Sequence, residues 1–281
     1  MKHSLHSSFY PHIDADKFTK VVKKLREFFD KKGFLEVHTQ NRLSILAACE
    51  DPHNVSTYHY AGKVWPLPQT GQMWLEHELL NNPETPGFYC LSTSYRNEKN
   101  PIEGRHCMIF PMFEFEFPGN MTDLHLVEVE LLKFLGFNDY EVMNYEDICQ
   151  IYNVDIIDSQ LESELANSVS NALFIMNFPE RTNPFWNMKR HSNGTSRKID
   201  VILHGQETIG SAERSCDVEQ MRDTFFSIEE GRYAEKLFDL FGYERVINEL
   251  NEFLNNDFFP RVGAGVGVTR LIRAMEIHGL I

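Results

Sequence analysis

Residues 95–116 read YRNEKNPIEGRHCMIFPMFEFE, and the prediction of the fold starts from this stretch. The segments Phe88–Arg96 and His106–Phe117 have the composition of two strands, and the polar loop Asn97–Gly104 joins them. Two antiparallel strands of this kind would carry Arg, Glu and aromatic side chains inward. An Arg offers a fork for phosphate oxygens, and an aromatic ring offers a face for a base. The stretch therefore favours a nucleotide held flat on a sheet; the alternative is an exposed hairpin with salt bridges.

The segments on both sides of this hairpin mix helices and strands without a regular alternation. Apolar residues at helical spacing predict a first helix from Asp14 or Asp16 to about Lys32. Further helices are predicted at Gly71–Leu80, Thr122–Leu135, Val218–Phe241, Tyr243–Leu254 and Thr269–His278, and further strands at Phe34–Val37, Tyr58–Tyr60, Val64–Leu67, Ala172–Asn177, Phe185–Lys189, Lys198–His204 and Thr208–Ser215. The mixture indicates an α+β fold in which helices flank an antiparallel β-sheet. Because no repeat or linker interrupts the pattern, residues 1–281 are predicted to form one domain.

The composition excludes several classes of protein. The 281 residues are 42% hydrophobic and 24% charged, which is usual for a globular domain and unlike a disordered or fibrous chain. A formal net charge of −14 argues against non-specific coating of nucleic acid, which needs a basic surface. The apolar runs are too short to span a membrane, and the N-terminus lacks the apolar region of a signal peptide. Five scattered cysteines without a CxxC pair predict neither zinc nor disulfides, so the cytoplasm is the expected location.

A glycine-rich segment near the end of the chain is a second candidate for function. Residues Gly263–Arg270 read GAGVGVTR and stand between a strand-like and a helical segment. The spacing differs from the GxGxxG fingerprint of dinucleotide-binding proteins, and too little sequence follows for the βαβ unit of such a site. The glycines instead predict a close approach of the backbone to a ligand or to a neighbouring strand, with Arg270 beside that ligand.

Two groups of polar residues are further candidates. Asp200 and Glu207 are flanked by strand-like sequence and could hold Mg²⁺ through oxygen, as this ion prefers beside phosphates; the alternative is two solvated acids. Gln72 and Glu76 stand at the start of a predicted helix, with Cys49-Glu50 before it, where polar residues are usually helix caps. The sequence contains neither the GxSxG motif of serine hydrolases nor a P-loop, so these two classes have no support.

Taken together and in this order, the segments resemble the catalytic domain of class II aminoacyl-tRNA synthetases of the Asp, Asn and Lys subgroup. Phe18–Thr39 is similar to the first motif of the family, Tyr95–Glu116 to the second and Gly263–Leu271 to the third. Thr70–Glu76 (TGQMWLE) and Gly210–Arg214 (GSAER) look most like the asparaginyl enzymes. The resemblance implies the class II fold, ligase activity, ATP and Mg²⁺ as cofactors, and a homodimer built on the first motif.

The resemblance also implies roles for residues of the second and third motifs. Arg96 would grip the α-phosphate, Glu98 would accept a hydrogen bond from the adenine amine, and Phe110 would stack on one adenine face. Arg270 would cover the other face and reach the γ-phosphate, while the pair Arg105-His106 would assist at the pyrophosphate end. Arg96 and Arg270 are therefore the expected catalytic residues.

The remaining site residues would hold the amino acid and the metal. Glu50 and Gln72 would bind the α-amino end of the amino acid. Arg214 would bind the side-chain carbonyl or carboxylate, and Glu76 would accept from an amide N–H. The metal ligands that the resemblance implies are Asp200 and Glu207.

The anticodon-binding OB-fold barrel that precedes the first motif in the family has no counterpart in this sequence, so an acceptor other than tRNA is expected. The leading hypothesis is an ATP-dependent ligase that activates Asp, Asn or a close analogue and transfers the acyl group to a non-tRNA acceptor. Ammonia is the first such acceptor to consider, as in an asparagine synthetase. A second hypothesis keeps tRNA as the acceptor, bound by its acceptor stem alone. A third is a catalytically silent amino-acid sensor or binding protein, because Ile109 and Thr269 stand where the family has acids.

Overall fold

A mixed sheet forms the centre of the protein. The structure is a computed structural model that describes residues 9, 10, 12–39, 43, 45 and 50–281. The strands are β1 (Leu35–Glu36), β2 (Thr57–Tyr60), β3 (Lys63–Pro66), β4 (Phe88–Tyr95), β5 (Ile109–Pro118), β6 (Glu141–Asn144), β7 (Ala172–Pro179), β8 (Thr195–Leu203), β9 (Gln206–Glu213) and β10 (Arg261–Gly267). Eight strands form one sheet in the order β1-β4-β5-β10-β9-β8-β7-β6, while β2 and β3 form a separate hairpin. The pairings at the two edges of the sheet are parallel, and those between them are antiparallel.

Helices cover both faces of this sheet. They are α1 (Ala15–Lys31), α2 (Gln72–Asn81), α3 (Met121–Leu135), α4 (Tyr145–Tyr152), α5 (Ser159–Ser168), α6 (Val218–Ser227), α7 (Arg232–Phe241), α8 (Tyr243–Leu254) and α9 (Val268–Ile277). The helices α1, α3 and α9 pack against one another and the sheet, and α2 packs on β4, β5 and β10. Side chains of α6, α7 and α8 form a second apolar core around the buried Trp186. No helix in the described part of the chain is long and apolar enough to cross a membrane.

The alternation FEFEF along β5 explains how one strand serves both faces. Successive side chains of a strand point to opposite sides, so the Phe and Glu residues separate. Phe113 and Phe115 are buried against Phe29 of α1, with ring centroids 5.5 and 4.5 Å from it. Glu114 and Glu116 are fully buried on the other face, where α2 packs. The Phe face therefore builds the main core, and the Glu face builds the site described below.

The first helix begins where the sequence predicts. The Asp14 carboxylate accepts hydrogen bonds of 2.9 and 3.0 Å from the backbone N–H groups of Asp16 and Lys17, which satisfies two donors that a helix start leaves unpaired. The apolar stripe of α1 buries residues such as Val21 and Leu25 in the main core. Burial of one such side chain contributes about 1.5–3 kcal/mol, so the stripe holds the helix on the sheet.

The predicted α+β fold is confirmed, and the predicted helices and most predicted strands lie within a few residues of their expected bounds. The predicted strand Phe185–Lys189 is wrong, because this segment turns and forms only an isolated bridge from Met188 to Arg214. Its apolar residues reflect burial beside the second core rather than a place in the sheet. The strand β6 was not predicted, and it lies in a stretch that was expected to hold only helices and loops.

Candidate active site

Two glycines face each other near the middle of the sheet. Gly210 of β9 is opposite Gly265 of β10, with Glu114 of β5 beyond one and Asp200 of β8 beyond the other. Directly opposed residues of neighbouring strands point to the same face. Because the two glycines carry no side chains, this row leaves a gap between two carboxylates. The gap is the floor of a cavity.

The cavity has a volume of about 350 Å³. It lies on the Glu face of the sheet and is bounded by β5, β8, β9, β10, the first turn of α9 and the segment that follows β4. It brings together all six residues that the resemblance assigns to ATP, together with the expected metal ligand Glu207; the six are Arg96, Glu98, Arg105, His106, Phe110 and Arg270. These residues come from three distant parts of the chain. Their convergence is what a nucleotide site in this position requires.

Arg96 and Arg270 keep their charge available to a ligand. The Nε of Arg96 donates to Ser94 Oγ at 3.2 Å. Arg270 Nη1 donates to the carbonyl oxygen of Glu207 at 2.6 Å, and its Nη2 lies 3.5 Å from the carbonyl oxygen of Arg105. Among the described residues, neither guanidinium forms an ion pair with a carboxylate. Neutral acceptors therefore position both groups without cancelling their charge.

In the described part of the chain, Arg105 and His106 each contact a carboxylate, in contrast to Arg96 and Arg270. Arg105 pairs with Glu162 of α5 and also donates to Ser163 Oγ at 3.0 Å and to the carbonyl oxygen of Gly205 at 2.9 Å. His106 Nδ1 lies 2.5 Å from Glu98 Oε2. Burial raises the pKa of Glu162, and the nearby Glu207 adds to this rise while Arg105 opposes it. The loop that carries Arg105 is thus tied to the far side of the cavity.

Asp200 and Glu207 converge above Gly210. A Cβ on Gly210 would lie 2.9 Å from Glu207 Oε1 and 3.6 Å from Asp200 Oδ1. Asp200 Oδ2 accepts a hydrogen bond of 2.6 Å from Lys198 Nζ. Within the described residues the buried Asp200 Oδ1 has no partner. Burial raises the pKa of Asp200 to about 7, although the Lys198 ammonium opposes this rise.

This pair of carboxylates fits a magnesium ion beside bound phosphates. An orphaned carboxylate oxygen next to a second acid matches the oxygen ligands that Mg²⁺ takes from proteins when phosphates and water supply the others. No group of three or more His, Cys, Asp or Glu side chains among the described residues is arranged to hold a metal ion. Asp200 and Glu207 are therefore residues that could hold Mg²⁺ together with a nucleotide, and not a site complete by itself.

A buried ion pair extends this floor beyond the residues that line the cavity. It lies on the same face of the sheet, next to the row of glycines. Arg214 donates from Nε to Glu116 Oε1 and from Nη2 to Glu116 Oε2, both at 3.1 Å. The same Nη2 donates to Gln72 Oε1 at 2.6 Å. This bond fixes the orientation of the Gln72 amide, whose buried Nε2 has no partner among the described residues. Burial raises the pKa of Glu116, and Arg214 lowers it. Arg214 and Gln72 thus lie together, but Gln72 turns a donor rather than an acceptor toward any ligand, which does not favour its predicted contact with an α-amino group.

A second buried pair changes the expectation for Glu76. Arg261 Nε donates to Glu76 Oε1 at 2.8 Å, Arg261 Nη2 pairs with the same oxygen, and Asn187 Nδ2 donates to Glu76 Oε2 at 3.0 Å. All three side chains are fully buried. Both Glu76 oxygens are therefore engaged within the protein. The predicted contact of Glu76 with a substrate amide stays a prediction that this arrangement does not favour.

Glu50 is placed apart from the other predicted residues. It is buried and lines a small crevice with Thr70, Met73 and Trp74, and none of these residues lines the larger cavity. Cys49, its neighbour in the predicted motif, lies outside the described residues. The proposed contact of Glu50 with an α-amino group is therefore untested.

The arrangement of a central sheet, a charged cavity and a buried floor is matched by a known family. The family model described as tRNA synthetases class II (D, K and N) matches residues 14–277. The chain belongs to this class II synthetase family.

Solved structures of other proteins share the fold of this chain. An asparaginyl-tRNA synthetase from Pyrococcus horikoshii, complexed with asparaginyl-adenylate, superposes with a TM-score of 0.76 at 20% identity over 92% of this chain and 64% of that chain. The enzyme from Entamoeba histolytica, in complex with asparaginyl-adenylate, gives a TM-score of 0.73 at 16% identity over 94% and 63%. A lysine–tRNA ligase from Campylobacter jejuni is 20% identical over an alignment of 302 residues that covers 90% of this chain and 59% of that protein. The chain therefore spans less than two thirds of the length of each of these three proteins.

Three charged residues of this chain were not assigned from the sequence. Lys198 precedes Asp200 by two positions in β8, so the alternation of strand side chains could have placed it on the same face. Glu162 reaches Arg105 from a separate helix, and Arg261 reaches Glu76 across 185 residues. No local pattern marks either of these pairings.

Proposed function

We propose that this chain forms an aminoacyl-adenylate from ATP and an amino acid that resembles Asp or Asn, and then transfers the acyl group to an acceptor other than tRNA. The observation that carries the proposal is the convergence of Arg96, Arg270 and Phe110 on one cavity. Arg214 is buried next to this cavity, where it pairs with Glu116. Phosphate oxygens fit Arg96 and Arg270, and an aromatic base fits the ring of Phe110. The buried Gln72 Nε2, which has no partner among the described residues, is a donor for a short polar side chain beside the Arg214 pair. Two relatives of the same fold hold asparaginyl-adenylate, which supports the choice of ligand.

The proposed reaction requires that the two substrates are positioned and that the negative charge developing on the phosphate oxygens is stabilised. The carboxylate of the amino acid attacks the α-phosphorus, a new oxygen–phosphorus bond forms, and the bond to pyrophosphate breaks. A carboxylate is already a nucleophile, so no general base is needed. Arg96 and Arg270 stabilise the negative charge that develops on the phosphate oxygens, because no carboxylate among the described residues neutralises them. Mg²⁺ held by Asp200 and Glu207 would supply further positive charge beside the phosphates.

The basic residues that could attract tRNA are engaged within the protein. Lys189 and Arg197 both pair with Glu213, at 2.7 and 2.8 Å, and Arg190 pairs with Glu180 at 2.6 Å. The net charge of −14 also means that the chain as a whole does not attract the phosphates of a nucleic acid. For this reason we place a small acceptor, with ammonia first, ahead of the acceptor stem of tRNA.

The proposal includes a homodimer built on the first motif, which corresponds to α1 and β1. Leu35 of β1 is 55% exposed in the single chain, which is unusual for a Leu in a strand. Sedimentation or light scattering of the purified protein measures the mass directly. A monomer at micromolar concentration would contradict this part of the proposal alone.

The test of the central proposal is amino-acid-dependent exchange between ATP and radiolabelled pyrophosphate, run with each common amino acid and with no acceptor. We expect exchange with Asp or Asn and none with Leu or Lys. Absence of exchange with every amino acid would contradict adenylation and favour a silent amino-acid-binding protein. Where exchange occurs, product formation is then compared with ammonium, with tRNA and with no addition, so that each acceptor is tested separately.

A further inference from the structure

Lys198 lines the same cavity as Arg96 and Arg270 but is held in a different way. Its Nζ donates to Asp200 Oδ2 at 2.6 Å and lies 4.0 Å from the centroid of the Phe178 ring. The Lys198 side chain is 22% exposed and that of Asp200 is 9% exposed. An ammonium between a buried carboxylate and an aromatic face has a fixed position, in contrast to the usual mobile surface lysine.

The contact divides the Asp200 carboxylate into two different oxygens. Oδ2 accepts the hydrogen bond from Lys198 Nζ. Oδ1 has no partner among the described residues and points to the space that Glu207 also faces. A divalent ion bound there would meet one carboxylate oxygen of Asp200 and, close by, the positive charge of Lys198. That charge repels a second cation and lowers the affinity of the empty site for metal. The same charge attracts phosphate oxygens.

We propose that the Lys198 ammonium is a resident cation of the nucleotide cavity, which neutralises Asp200 in the free protein and binds phosphate oxygens of the nucleotide directly. The phosphate part rests on the proposed function, since it requires that the cavity accepts ATP. The Asp200 part does not, because it concerns the free protein and metal ions alone. On this basis the chain binds ATP measurably without a divalent ion, and it binds a divalent ion poorly without ATP.

The experiment compares Lys198→Met with the parent in two binding measurements. The first is titration with ATP in the presence of a chelator, followed by calorimetry, and we expect affinity to fall about tenfold or more when the ammonium is removed. The second is titration with Mn²⁺ alone, followed by the electron spin resonance signal of the free ion. Here we expect affinity to rise about tenfold, because Asp200 then offers both oxygens and the repulsion is gone.

Two further variants control the measurement. Lys189→Met removes a lysine that pairs with Glu213 at 2.7 Å and does not line the cavity, so both affinities should match the parent. Lys198→Arg keeps the positive charge, so both affinities should stay within about threefold of the parent. Circular dichroism confirms that each variant is folded, and if Lys198→Met is not, a Lys198→Gln variant takes its place.

Each outcome decides one part of the proposal. ATP affinity of Lys198→Met within twofold of the parent, without metal, would overturn direct phosphate binding by Lys198. Unchanged Mn²⁺ affinity in the same variant would overturn its role as the cation that occupies Asp200. If the parent binds ATP neither with Mg²⁺ nor without it, the proposed function itself fails, and the Mn²⁺ series alone then decides the Asp200 part.

Discussion

Arg270 lies in the third motif and Arg261 lies two residues before it, yet the two charges have opposite surroundings. Arg270 borders the open cavity and is positioned by backbone carbonyl groups. Arg261 is fully buried and is paired with the Glu76 carboxylate. The same contrast separates Arg96, positioned by a hydroxyl, from Arg214, paired with Glu116. The cavity and its floor thus use the same residue type for two purposes.

The difference shows how a charge can be positioned without being neutralised. A carbonyl or hydroxyl acceptor fixes the direction of a guanidinium but leaves its net positive charge, which a phosphate can then meet. A buried carboxylate cancels the charge, and the resulting pair gives the floor a definite shape. On this argument, removal of a floor arginine should cost stability, and removal of a cavity arginine should cost catalysis.

The largest expected effect is on the floor. Arg261→Met should lower the free energy of unfolding by about 3–5 kcal/mol. The variant removes the cation that pairs with the buried Glu76 carboxylate and leaves the hydrogen bond from Asn187. Urea denaturation followed by circular dichroism measures this loss. The matched control is Arg232→Met, whose pair with Glu230 is exposed and should contribute less than about 1 kcal/mol. An equal loss in both variants would show that the buried pair is not a stabilising feature of the floor.

The second effect is on the cavity. Arg96→Ala should lower the rate of ATP–pyrophosphate exchange by a factor of about 10²–10³, or about 2.7–4 kcal/mol in the barrier, while unfolding by urea changes by less than about 1 kcal/mol. The control is Arg181→Ala, which removes an exposed pair with Glu146 away from the cavity and should leave exchange intact. Exchange at the parental rate in Arg96→Ala would remove this residue from the proposed mechanism.

The cavity was predictable from the sequence to a large extent, and the floor was not. Arg96, Phe110 and Arg270 were expected in one site because of the resemblance to the motifs of the family, and all three line one cavity. Their roles toward ATP stay predictions. The partners of the floor are set by packing between distant segments. Glu76 and Arg261 are 185 residues apart, so no periodicity or spacing relates them.

The wrong strand at 185–189 has the same origin. Its apolar residues suggested a place in the sheet, but Asn183 before it adopts a left-handed backbone with φ of 50°, and the chain turns. Trp186 then packs against Phe225 and Phe253 of the second core, which lies outside the sheet. A short apolar run shows that a segment is buried and does not show against what.

The third prediction compares two glycines. A Cβ on Gly263 would lie 1.5 Å from Glu116 Oε2 and 2.8 Å from Arg214 Nη2, so Gly263→Ala must separate the floor pair and should cost about 2–3 kcal/mol of stability. The matched variant is Gly210→Ala, where the nearest atom, Glu207 Oε1, ends a flexible side chain that can turn into the cavity. Its cost should be less than about 1 kcal/mol. Equal urea midpoints for the two variants would contradict a rigid floor and an adaptable cavity.

The smallest expected effect concerns Glu128, a buried acid that, unlike Glu76, has no arginine partner in the described part of the chain. Glu128 of α3 is fully buried like Glu76, but among the described residues no Lys or Arg pairs with it, and only the Ser211 hydroxyl opposes the rise of its pKa. Burial raises the pKa of Glu128 from the ordinary 4.5 to about 8, and the Asp200 charge adds to this rise. The folded protein therefore keeps a proton that the unfolded chain releases above about pH 4.5, so the stability from this group is present at low pH and is lost as pH rises toward 8.

Glu128→Gln removes this titration and tests the argument directly. Between about pH 5 and about pH 6.5, the parent should lose roughly 2 kcal/mol more stability than the variant. If the amide changes stability by the same amount at every pH, the plot of unfolding free energy against pH shifts but keeps its slope. The difference in slope between variant and parent is therefore the quantity to measure, by urea unfolding at several pH values. Parallel profiles would mean that Glu128 is as well compensated as Glu76. Burial alone would then not distinguish the unpaired acid from the paired ones, and the contrast between cavity and floor would rest on the arginines only.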